Sequence, residues 1–108
     1  MRNKIVLIPL PFDDFSQTKV RPAACLTNQT GSFQHIVVAF ITSQEPHDSL
    51  PSDIELQSNE VTGLKVKSFL RLHKITTIPF SLINRELGEV PNQVQSEITS
   101  QLKLLFHF

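Results

Sequence analysis

The stretch Gly63-Leu64-Lys65-Val66-Lys67-Ser68-Phe69-Leu70-Arg71-Leu72-His73 alternates between two chemistries. Successive side chains of an extended chain point to opposite sides. Leu64, Val66, Ser68, Leu70 and Leu72 therefore share one face, and Lys65, Lys67, Phe69, Arg71 and His73 share the other. The spacing predicts a strand over 63–73 with one face in a core and the other cationic around an aromatic. Residues 65–74, Lys74 included, hold four Lys or Arg and no acid. Such a face suits a nucleic-acid strand, with phosphates on the cations and a base stacked on Phe69. It is equally the pattern by which an edge strand resists aggregation.

Outward from this strand, turn signals recur every ten to fifteen residues between short apolar runs, the mark of a small all-β barrel or sandwich. Residues 4–10 form a first strand, followed by a polar loop with Asp13, Asp14, Ser16, Gln17 and Thr18. A second strand covers 23–27, after Arg21-Pro22, and 28–32 turn at Gly31. Residues 35–42 are rich in β-branched side chains and form a buried strand. Residues 45–52 carry Pro46 and Pro51 and make a loop, and 53–56 a short strand. Residues 75–78 are extended up to Pro79, and 82–90 form a further strand or, around Asn84-Arg85-Glu86-Leu87, a helix. The chain closes with a helix whose Val94, Ile98, Leu102 and Leu105 make one apolar stripe behind Pro91.

The 108 residues suit one domain. Thirty-eight of them are Leu, Ile, Val or Phe, too many for a disordered chain. Lys plus Arg number 10 and Asp plus Glu 10, so bulk charge does not draw the chain to nucleic acid, although a local basic groove would. Cys25 is the sole cysteine, which excludes an internal disulfide and argues against a cysteine-based zinc site. It sits in Ala23-Ala24-Cys25-Leu26, the setting of a small buried hydrophobe. No apolar run approaches a membrane span, and the start is too short and proline-broken for a signal peptide, so a cytoplasmic location is expected.

Three sites could carry chemistry. Pro22 biases Arg21 toward extended backbone, where its guanidinium can grip a phosphate bidentately; a surface arginine ahead of a strand is the plainer reading. Thr42, Ser43 and Gln44 cluster where a hydrophobic strand stops, placing hydroxyl donors for phosphate oxygens, though Ser and Thr also simply end strands. His73, at the end of the cationic face, is the candidate proton carrier, because an imidazole is the side chain suited to changing charge near neutral pH. His35, His47 and His107 lack ligand spacing, so no metal site is expected.

In order and spacing these pieces resemble the MazF/PemK-type toxins of bacterial toxin–antitoxin pairs. The similarity runs through Ile5-Val6-Leu7, Pro11-Phe12-Asp13-Asp14, Arg21-Pro22-Ala23, Ala39-Phe40-Ile41-Thr42-Ser43-Gln44, Asp53-Ile54 and Gly63-Leu64. It continues through Ser68 to Leu72, Lys74-Ile75, Ser81-Leu82-Ile83 and the terminal helix. The resemblance implies a mainly β, SH3-like barrel with a C-terminal α-helix, acting as a homodimer. It implies a metal-independent endoribonuclease without cofactor. The 2′-hydroxyl of single-stranded RNA attacks the adjacent phosphorus, leaving 2′,3′-cyclic phosphate and 5′-hydroxyl ends. The RNA lies beneath the loop at 11–20, and a cognate antitoxin occludes the same groove.

Carried over by position, Arg21, Thr42 and Arg71 are catalytic. Gln17 and Lys19 of the loop, with Ser43, Gln44, Lys65, Lys67 and Phe69, contact RNA. The acid that commonly follows two residues after the Arg71 position is His73 here, so either His73 takes over as proton acceptor or the site is weakened. Asn3-Lys4 replaces a common Gly-Asp, and Pro79 a common Asp. Two other readings remain open: a decayed toxin that binds RNA or antitoxin without cutting, and a toxin of a different class. A related toxin family on this fold poisons DNA gyrase by protein contact through its C-terminal helix, and this chain ends in the apolar Leu104-Leu105-Phe106-His107-Phe108.

Overall fold

The computed structural model describes residues 1–11 and 18–108. Of the residues singled out above, Asp13, Asp14, Ser16 and Gln17, like most of the loop at 11–20, lie outside the described residues. Among the described residues, six strands form one antiparallel sheet: β1 (Lys4–Pro11), β2 (Thr18–Cys25), β3 (His35–Thr42), β4 (Asp53–Leu56), β5 (Ser68–Pro79) and β6 (Arg85–Glu89). Their order is β4-β5-β3-β2-β1-β6, and the sheet curls into a half-barrel. A 3-10 turn at Phe80–Leu82 precedes β6, and the helix α1 (Asn92–Phe106) ends the chain.

Alternation splits the apolar side chains between the two faces. Ile5, Ala24, Ala39, Ile41, Leu70 and Leu72 face one core with Ile54, Leu56 and Val90. The helix closes that core with Ile98, flanked by Val94 and Leu102, so the predicted stripe is the face that packs. Burying a side chain like Ile98 contributes roughly 1.5–3 kcal/mol. Val6, Ile8, Ala23, Cys25, Ile36 and Val38 form a second cluster on the opposite face, with Phe40 packed against it.

β5 crosses between these faces midway. Ala39 pairs with Ile75, but the next residue, Phe40, pairs with Arg71, so Leu72, His73 and Lys74 form a bulge. An odd number of extra residues inverts the alternation. Leu70 and Leu72 lie in the first core, while Ile78, of the same parity, lies in the second. The separate extended segments predicted at 63–73 and 75–78 are thus one bulged strand that starts only at Ser68.

Residues 63–67 are not strand, because the preceding turn holds them elsewhere. Asn59 Oδ1 accepts hydrogen bonds from the Val61 and Thr62 N–H groups. Buried Thr62 donates its hydroxyl to the Gln57 carbonyl at 2.7 Å. Gly63 has φ +69°, and a Cβ there would collide with the Leu87 carbonyl of β6. The Glu89 N–H donates to the Val61 carbonyl at 2.7 Å, so this turn is fastened to β6. Val66, expected in the core, is 53% exposed.

Candidate active site

Register brings the site together. Asp53 of β4 lies opposite Arg71 of β5, Arg71 opposite Phe40 of β3, and Phe40 opposite Ala23 of β2. These four side chains form one row across one face. The next row pairs Glu55 with Phe69 and Phe69 with Thr42. Arg21, two residues before Ala23, projects from that same face by alternation. The result is a cleft of about 500 Å³ between β2, β3 and β5, closed at one end by the loop after Thr42. Arg21, Thr42, Ser43, Gln44, Arg71 and Lys74 line it, as do Phe40, His47 and Asp48.

Arg71 is not on a solvated face. Its side chain is only 9% exposed. Its Nε donates to Asp53 Oδ1 at 2.9 Å, and its Nη2 to Asp48 Oδ1 at 3.3 Å. Asp53 is itself buried, and its Oδ2 accepts the Leu50 N–H at 2.8 Å. One carboxylate therefore ties the loop before β4 to the guanidinium of β5. Asp48 sits at the solvent edge. A backbone hydrogen bond and, next, the Arg71 charge hold its carboxyl below the usual range.

Thr42 Oγ1 accepts the Gln44 N–H at 3.2 Å, which leaves the hydroxyl proton to be donated into the cleft. Ser43 and Gln44 follow as exposed residues. His73 does not line the cleft. Its Nδ1 is buried without a hydrogen bond, 4.0 Å from Asp53 Oδ1, behind the Arg71 pair. Lys67 lies near Glu55 at 3.8 Å and over the Phe69 ring at 5.9 Å, outside the cleft lining. Lys19 is exposed on β2, opposite Leu10. Lys65 lines a second, adjoining cleft.

Asp53, Asp48 and His47 belong to the site, although no local pattern assigns them a role there; Lys74 is counted with the cationic face along the sequence. The Asp53–Arg71 pair is set by β4–β5 register, and Lys74 reaches the cleft from the bulge. Cys25 is buried, and that burial pushes its thiol up to about 11. Among the described residues, no three His, Cys, Asp or Glu cluster so as to hold a metal ion. No described helix is long and apolar enough to cross a membrane.

The fold has close counterparts among solved structures. An endoribonuclease in complex with its cognate antitoxin, from a mycobacterial species, superposes with a TM-score of 0.79 at 14% identity, covering 100% of this chain and 95% of that one. The Mycobacterium tuberculosis toxin MazF-mt6 gives 0.77 at 21% identity, covering 97% of each chain. A MazE–MazF complex from Deinococcus radiodurans gives 0.77 at 17% identity, covering 99% of this chain and 95% of that one. These likenesses define the class, a curled half-barrel with a C-terminal helix. No curated protein matches the chain in sequence. The sequence profile of PemK-like, MazF-like toxins of type II toxin–antitoxin systems matches residues 1–106, and the chain belongs to that family.

Proposed function

We propose that the protein is an endoribonuclease toxin that cuts single-stranded RNA without a metal ion, and that a cognate antitoxin silences it by filling the same cleft. The observation that carries this reading is the meeting of Arg21, Thr42 and Arg71 in one cleft, from three strands. A 2′-hydroxyl attacks the adjacent phosphorus, its proton passes to a base, and the 5′-oxygen leaves with a proton. The products are a 2′,3′-cyclic phosphate and a 5′-hydroxyl. Arg21 offers a cation to the charge that develops on the phosphorane, and the Thr42 hydroxyl donates to a phosphate oxygen. Arg71, fixed by Asp53, supplies a second oriented guanidinium.

The proton acceptor is an imidazole. His47 lines the cleft, whereas His73 faces Asp53 behind it, so the position favours His47. His47→Asn should lower the cleavage rate at least about 100-fold and His73→Asn leave it near the parent's, as for loss of a positioned proton acceptor; the reverse would return the role to His73. Homodimerisation belongs to this reading and is checked by the mass of the protein in solution.

The test is incubation of the purified protein with mixed single-stranded RNA in EDTA, followed by end mapping. Discrete cuts with 2′,3′-cyclic phosphate ends support the reading, and intact RNA overturns it. A protein-binding toxin is the second reading, favoured by the exposed Leu104, Phe106 and Phe108 at the helix end. It requires toxicity to be lost in Phe106→Ala or Phe108→Ala and kept in Arg21→Ala.

A further inference from the structure

A second cleft, of about 410 Å³, adjoins the first and shares Arg21, Pro22 and Ser43 with it. That volume is within the ~300–1,000 Å³ of small-molecule sites. The two clefts differ in charge. The first contains Glu45 and Asp48 beside its cations. The second contains Arg21, Lys65 and Arg85, with no Asp or Glu among its described lining residues. Lys65 and Arg85 are both exposed, and neither is in an ion pair among the described residues. Between them the floor is apolar, with Val20 41% and Val66 53% exposed.

The walls of this cleft are fixed. The 63–66 segment cannot move toward β6, because Gly63 already abuts the Leu87 backbone. The Leu64 carbonyl accepts the Ser58 hydroxyl at 2.7 Å, and the Leu64 N–H donates to Thr62 Oγ1 at 3.3 Å. Arg85 is set on β6 opposite Leu7. Two cations are therefore held on opposite walls of an apolar trough, with no carboxylate among its described lining residues. That is the chemistry of a nucleotide subsite, with phosphate on the rim and base or sugar on the floor.

We infer that the second cleft is an extension of the RNA path, which passes over Arg21 and Ser43, and that Lys65 and Arg85 hold the phosphate of a nucleotide flanking the cut. This rests on the endoribonuclease reading for the identity of the strand. A single-stranded polyanion is the occupant that charge complementarity selects. The site makes cutting depend on RNA length on one side of the scissile bond.

The experiment compares a minimal cleaved RNA with versions lengthened by a few nucleotides on the 5′ or the 3′ side. Each carries a 2′-deoxy sugar at the cut for binding, and a ribose for cleavage. For the parent protein, extension on one side should tighten binding about tenfold. Lys65→Ala and Arg85→Ala should each lose most of that gain, and each should lower the salt slope of binding by about 0.7 for the lost phosphate. Lys103→Ala, a helix cation outside both clefts, should keep the gain. An equal gain in parent and variants overturns the inference. If the parent cuts no RNA, the endoribonuclease reading falls, while the uncleavable oligomers still decide whether this cleft holds a strand.

Discussion

The β2 wall and the β5 wall of the cleft each present an arginine, and they hold it in opposite ways. Arg21 stands exposed on β2, turned to the cleft by strand alternation and by the proline after it. Arg71 is nearly buried on β5 and clamped by two carboxylates at 2.9 and 3.3 Å. A guanidinium held by buried partners costs little to orient when a substrate arrives, but part of its charge is already compensated. Arg21 reaches solvent, where a ligand can approach it. On the proposed reading the pair separates two tasks, a nearly buried cation that shapes the site and an exposed cation presented to the phosphate.

The largest expected effect lies on the β5 side. Arg71→Ala strands the buried Asp53 carboxylate and should cost roughly 3–5 kcal/mol of stability, read from urea unfolding. Removing Asp53 as well, in the double Ala variant, should recover much of that loss. Equal stability of parent and Arg71→Ala would break the distinction between the walls.

The walls should also answer pH in opposite directions. On the β2 side, burial lifts the Cys25 thiol from an ordinary 9.0 up to about 11. The native state then holds that proton more tightly than the unfolded chain. Its contribution is full below pH 9 and lost as pH rises toward 11, so the parent should lose roughly 2–3 kcal/mol more than Cys25→Ala across that interval. Urea midpoints at pH 8 and 11 measure it. On the β5 side, the Asp48 carboxyl is held below its usual range, so its contact with Arg71 is lost only as pH falls through that lowered value.

The smallest effect concerns Asp48 itself. Asp48→Asn removes a negative charge from the cleft mouth and loosens the outer grip on Arg71. RNA binding at low salt should tighten a few-fold, with the urea midpoint unchanged. Weaker binding would mean that Asp48 positions Arg71 rather than shielding it.

Much of this was legible along the chain, where a local pattern sufficed. Alternation and β-branching mark His35–Thr42, and the Val94-Ile98-Leu102 spacing marks the face of α1 that packs. Arg21-Pro22 and Thr42-Ser43-Gln44 stand out as polar groups beside strands, and the structure sets them in one cleft. What escapes is long-range. Alternation through 63–73 looks continuous, yet the buried Thr62 and the Leu87 backbone against Gly63 hold residues 63–67 out of the sheet. Arg71 looks solvent-facing until β4 places Asp53 opposite it. The bulge at Leu72–Lys74 reverses the faces beyond it, and no residue of the bulge announces that.

The most direct measurement follows cleavage of single-stranded RNA in EDTA by the parent and by Arg21→Ala, with urea unfolding of both. Arg21→Ala should lose at least about 100-fold in rate, as for a group that stabilises transition-state charge. Its stability should change by no more than ~0.5 kcal/mol, as for an exposed side chain. Arg21→Ala cutting as fast as the parent would contradict the role proposed for Arg21.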